Sequence, residues 1–198
     1  MPEHIVITIS RQYGSGGKEV AERLAKKMGV RCYDRQILYL AAEKMGNSGM
    51  DIMSVLNDAY QIPEEHMAGI GPLALETVPY YNKMYREQAH AILQIAEHES
   101  AVFLGRCADA VLKDFPNHFS FFTYADEGFR RERGKKYYDN ASFKEIEKEE
   151  KVRMMYYSRY TGRKWGDPQN YDLMLNMGRM EPEEAAELLF SYHRKMLQ

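Results

Sequence analysis

The stretch TISRQYGSGGKEVAERLAKKMG, residues 8–29, constrains this chain more than any other. Ile5 to Ile9 form a short apolar run that reads as a strand. Gly14, Gly16 and Gly17 then allow a tight turn whose N–H groups point inward. From Lys18 onward, Val20, Ala21, Leu24, Ala25 and Met28 fall on one face of a helix, which Gly29 ends. A strand, a glycine-rich turn and a helix in succession commit the chain to an α/β fold. They also aim a helix N-terminus at the turn, which is the physics of phosphate binding. The spelling departs from G-x-x-x-x-G-K-[ST] at two places: Gln12 occupies the first glycine slot and Glu19 the hydroxyl slot. Read as a phosphate loop, the backbone of Gly14, Ser15, Gly16 and Gly17 cradles the donor phosphates, with Lys18 reaching the outer ones. A glycine-rich turn without a ligand is the alternative.

Four further apolar runs read as strands: 30–34, 101–106, 118–124 and 171–176. They are near-continuous rather than alternating, as expected of parallel strands covered on both faces. Helical patterns lie between them at 35–45, 82–98 and 181–197, and Asp34 stands where an N-cap would serve the first of these. The expectation is a single three-layer α/β domain over residues 1–198, with a five-stranded parallel sheet and right-handed crossovers. Residues 46–81 and 126–168 do not fit the sheet and read as helical excursions over its carboxyl edge, where such folds bind ligands.

Composition narrows the partners. The net charge of −2 argues against bulk binding to nucleic acid or membrane surfaces, and the apolar runs are too short to span a bilayer. The N-terminus lacks the marks of a signal peptide, and the two cysteines, Cys32 and Cys107, read as reduced thiols, so a cytoplasmic protein is expected. Residues 125–164 concentrate 12 Lys/Arg against 8 Asp/Glu, either a clamp for a small polyanion or a solvated helix face. Within it, Arg130 and Arg133 share a helix face and Arg131 points elsewhere.

Three motifs in order, ISRQYGSGGKE, GRCAD at 105–109 and YYSRYTGRKWGDPQNYDLMLN at 156–176, resemble the cytidylate kinase-like family, a branch of the P-loop nucleoside-monophosphate kinases. The resemblance runs from Ile5 to about Met180. It implies a P-loop NTPase core of adenylate-kinase type, with 46–81 as the acceptor-binding excursion and 126–168 as the lid. It also implies ATP and Mg²⁺, and transfer of the γ-phosphoryl group to a nucleoside monophosphate, CMP or dCMP most simply. Gln12 and Glu19 are normal for this branch. Glu19 reads either as a charged Mg²⁺ ligand or as a first-turn acid suited to the helix dipole. Arg130, Arg133 and Arg153, the last in Glu150-x-x-Arg153, match lid arginines that neutralise the transferring group. Arg106 matches an acceptor arginine, with Asp34 and Asp109 as further acceptor candidates or helix caps. Cys107 stands where ordinary cytidylate kinases carry aspartate, which leaves open a kinase of this fold for another small molecule, or a non-catalytic nucleotide sensor.

Overall fold

In a computed structural model, residues 4–46 and 72–197 are described, with backbone alone for 72–81. Five strands form one all-parallel sheet: β1 Val6–Arg11, β2 Arg31–Tyr33, β3 Ala101–Leu104, β4 His118–Tyr124 and β5 Leu173–Asn176, in the order β2-β3-β1-β4-β5. The helices are α1 Gly17–Met28, α2 Gln36–Lys44, α3 Pro72–His98, α4 Ala108–Val111, α5 Glu127–Tyr137, α6 Phe143–Thr161 and α7 Pro182–Met196. All five sequence-predicted strands are present, and β1 lies at the centre with Val6 opposite both Ala101 and His118. That register sets the carboxyl ends of β1, β3 and β4 side by side, which is where the turns after them meet.

The two faces of β1 differ. Ile7 and Ile9, with Leu104 and Phe121, pack against Val20, Leu24, Ala185 and Leu189 of α1 and α7. Each such fully buried aliphatic side chain contributes about 1.5–3 kcal/mol. Thr8 and Ser10 point the other way, toward His118 and Asp109, so the apolar run at 5–9 hides a polar edge on one side.

Two expectations need correction. Asp34 does not cap α2: the N-cap position is Arg35, without a side-chain cap, and Asp34 lies instead 4.0 Å from the Arg11 guanidinium. A buried arginine at the end of β1 outcompetes the local capping bond. The helix expected at 82–98 begins at Pro72, because the chain continues helically through Pro79, which local propensity treats as a breaker.

The chain divides into two compact units, 1–34 with 95–198, and 35–94. The second holds its own small cluster of Leu38, Ala41, Ala42 and Met84. Of the proposed 46–81 excursion, residues 47–71 lie outside the described residues. Among the described residues no helix is long and apolar enough to cross a membrane.

Candidate active site

The glycine loop is built by β1, β4 and the start of α1. Gln12 joins the loop to β4: its backbone N–H donates to Thr123 O at 2.9 Å, and its side-chain Oε1, which a glycine would lack, accepts from the Ala125 N–H at 3.2 Å. Gly14 and Gly16 sit at φ 83° and 89°, where a side chain is strained. Gly17 is needed for a different reason, since a Cβ there would run into Thr123 Oγ1 and lie 2.6 Å from Arg11 Cβ. Ser15 is fully buried and its hydroxyl pairs with Thr123 Oγ1 at 3.0 Å, so the spare hydroxyl of the loop is committed to β4. The first N–H groups of α1 have no intrahelical acceptor and face the loop. Lys18 is exposed, 3.8 Å from Glu22. A surface pair of that kind is worth about 1 kcal/mol or less and does not hold the ammonium away from a phosphate.

Two helices bring arginines onto this loop. Asp126 caps α5, and Ser142 with Glu145 forms a capping box for α6. From α5, Arg130 donates through Nε to Tyr13 O at 2.8 Å, while its buried Nη2 has no hydrogen-bond partner among the described residues. One turn on, Arg133 is ion-paired with Glu19, and its guanidinium carbon would sit 3.4 Å from a Cβ on Gly16. From α6, Arg153 stacks over the Tyr13 ring at 4.6 Å. Arg131 faces away, bonded to Glu127 and lying over Phe143. The 126–168 region therefore sets Arg130, Arg133 and Arg153 against residues 13–19 and turns Arg131 outward. Glu19 is a first-turn acid of α1 whose Oε1 meets Arg133, leaving Oε2 buried with no hydrogen-bond partner among the described residues.

At the carboxyl end of β3 the backbone is strained. Gly105, Arg106 and Cys107 adopt φ of 72°, 59° and 56° in succession. Two non-glycine residues held this way cost about 1–3 kcal/mol each, and such outliers cluster at functional sites. Both Arg106 and Cys107 are buried, and burial pushes the Cys107 thiol well up, keeping it neutral. Asp109 is not the cap of α4, which begins after Cys107 without a side-chain cap. Its carboxylate is only 2% exposed, accepting from the Tyr157 hydroxyl at 2.6 Å and, at 3.5 Å, from Ser10 Oγ. Burial raises the Asp109 pKa, and the Tyr157 hydrogen bond opposes that rise. Asp34 and Arg11 face each other nearby, and the stem of Arg11 packs under Gly17.

Sequence reading passed over several residues here. A cavity of about 430 Å³ opens beside Arg133, lined by Phe129, Tyr137, Met180 and Pro182 among others. Phe129, Arg133 and Tyr137 recur every fourth residue, a stripe hidden by the charges around it. Tyr13 and Trp165 stand within the ISRQYGSGGKE and YYSRYTGRKWGDPQNYDLMLN motifs, but nothing in those motifs points to Glu150 as the group that joins them. Among the described residues no three His, Cys, Asp or Glu side chains gather as a metal site.

The model of the cytidylate kinase-like family matches residues 6–179, most of the chain. The chain belongs to the cytidylate kinase-like family. This cytidylate kinase-like protein also resembles solved structures along nearly its full length. An uncharacterised protein from Eubacterium ventriosum superposes with a TM-score of 0.70 at 25% identity, covering 96% of this chain and 99% of that one. A gluconokinase from Sinorhizobium meliloti 1021 gives 0.56 at 12% identity, over 97% and 93%. A shikimate kinase from Acinetobacter baumannii, solved with shikimate, gives 0.54 at 11%, over 96% and 93%. No curated protein matches the sequence. Fold and family together make it a kinase of the P-loop type.

Proposed function

We propose that this protein transfers the γ-phosphoryl group of ATP to a nucleoside monophosphate, CMP or dCMP being the simplest acceptor. The observation that carries the reading is the gathering of Arg130, Arg133 and Arg153, from two helices, on the glycine loop that opens α1. An isolated loop would bind phosphate. A loop ringed by guanidinium groups also meets the charge that spreads over a transferring phosphoryl group. An acceptor phosphate oxygen bonds to the γ-phosphorus while the bond to the β,γ-bridging oxygen breaks, and ADP leaves. The attacking oxygen carries no proton near neutral pH, so this chain has no general base to supply.

In this reading Lys18 and the 14–17 backbone hold the donor phosphates, and Arg130, Arg133 and Arg153 neutralise the group in transit. Arg106, Asp34 and Asp109 serve the acceptor side. The cavity between Tyr137 and Pro182 is the place for the donor base. A Mg²⁺ ion fits this set, because it binds through one carboxylate plus substrate phosphates and waters, and Glu19 Oε2 is a buried oxygen in need of a partner. When bound, the ion would neutralise charge on the donor phosphates.

One observation favours a second reading, a kinase of the same fold acting on another small molecule. The thiol of Cys107 is buried and neutral where an acidic acceptor for the cytosine amino group is wanted. ADP release by the purified protein, with ATP and Mg²⁺ against a panel of nucleoside monophosphates, separates the two. The proposal expects stimulation by CMP or dCMP, lost in Lys18→Ala. Stimulation by no nucleoside monophosphate, with ATP still bound, contradicts it and leaves another acceptor or a nucleotide sensor.

A further inference from the structure

Glu150 is 8% exposed, whereas Glu145 and Glu147 on the same helix are exposed and Glu149 is half-buried. A carboxylate so buried costs free energy unless its oxygens are well met. Both are met by groups far from it in sequence or beyond the end of its helix. Oε2 accepts the Tyr13 backbone N–H at 2.6 Å, and Oε1 accepts the Trp165 indole N–H at 2.7 Å. Tyr13 lies inside the glycine loop. Its peptide groups are thus held at both ends, the N–H by Glu150 of α6 and the C=O by Arg130 of α5. Its ring is held as well, between Tyr138 at 4.9 Å and the Arg153 guanidinium at 4.6 Å. Trp165 in turn is wedged edge-on against Phe122 of β4 and Tyr157 of α6.

We propose that Glu150 is a positioning residue, which, by accepting the Tyr13 amide and the Trp165 indole together, locks the phosphate loop to α6 in the conformation that receives the donor phosphates. The inference rests on the reading of that loop as the ATP site. Glu150 touches neither substrate. It acts through Tyr13, fixing the Gln12–Tyr13 peptide whose N–H it accepts, one peptide ahead of Gly14, and through α6, on which Arg153 stands one turn further. A loop rich in glycine loses much freedom when it becomes ordered. Glu150 removes that freedom before the donor arrives, so its contribution falls on donor affinity rather than on the chemical step.

Glu150→Gln tests this with almost unchanged shape. An amide has one acceptor oxygen and two N–H donors, so it can accept from Tyr13 or Trp165 but must set a donor against the other. The expected result is a rise of about tenfold in the ATP dissociation constant and in KM for ATP, with kcat at saturating ATP changed by less than about threefold. Trp165, the one tryptophan of the chain, reports the joint directly: its emission in the wild-type protein should be nearly the same with and without ATP, whereas in Glu150→Gln it should differ before ATP is added and shift toward the wild-type emission on binding. Unchanged ATP affinity with a lowered melting temperature would make Glu150 merely structural and overturn the inference. ATP binding to the wild type, measured by calorimetry, that changes Trp165 emission as much as it does in Glu150→Gln also overturns it while leaving the kinase reading intact. No ATP binding to the wild type overturns both. Should Glu150→Gln fail to fold, the emission of the wild-type protein decides.

Discussion

A methyl group at Gly17 has nowhere to go. It would overlap Thr123 Oγ1 and press on the Arg11 side chain, both of which are buried and anchored at the ends of β4 and β1. Gly17→Ala is therefore expected to cost about 1–3 kcal/mol through overpacking, which for a chain of this size lowers the melting temperature by about 2–4 °C per kcal/mol. An unchanged melting curve would show that the Ser15–Thr123 joint yields easily. His118 makes a pH-dependent contribution at the same scale. It is partly buried beside Thr8 Oγ1 at 2.8 Å, and desolvation lowers its pKa from 6.5 to about 4. In the unfolded chain it titrates at its ordinary value, so between these limits the unfolded state binds the extra proton. The stability it contributes is complete above about pH 6.5 and is lost as pH falls toward 4, on the order of 3 kcal/mol in all. Asp109, whose pKa burial raises, acts in the opposite sense, gaining stability as acid is added. Denaturation of the wild type and of His118→Gln from pH 7.5 to 4.5 isolates the first term: the variant should show the shallower acid slope.

Helix α5 divides its arginines by face, and the division makes a prediction about the element. Arg130 and Arg133 are aimed at the loop, whereas Arg131 is satisfied at the surface by Glu127. Arg130→Lys removes the planar fork and should lower kcat on the order of a hundredfold or more, while Arg131→Lys should leave kcat within about twofold. Equal losses in both would mean that the basic segment acts only by bulk charge. This face division was legible in the sequence, because i and i+3 positions share a side of any helix. So were the five strands, whose apolar runs leave little alternative. What could not be read were the tertiary partners. Gln12 looks like damage to a phosphate motif until β4 is placed beside it. Asp34 looks like a cap until Arg11 arrives from β1. Glu150 looks like one acid among many on α6, and Asp109 like a helix-start acid, because neither Tyr13 nor Tyr157 is near in sequence. Short-range pattern sees periodicity and turn chemistry, and buried polar partners tens of residues to more than a hundred apart leave no trace in it.

Over the whole molecule, the order of glycine loop, strained GRC turn and arginine helices matches the arrangement of a phosphotransferase, and the family match spans the same three parts. The central β1 joins them: its end carries the loop, its polar face reaches Asp109, and Asp109 is tied through Tyr157 to the helix bearing Arg153. The account predicts that this assembly moves a phosphoryl group rather than merely holding nucleotide. Phosphorus NMR of the purified protein with ATP, Mg²⁺ and CMP tests that most directly. ADP and CDP should appear together in equal amounts, and neither should form with Lys18→Ala. ADP appearing without CDP, or bound ATP that persists unchanged across the panel of nucleoside monophosphates, would contradict it.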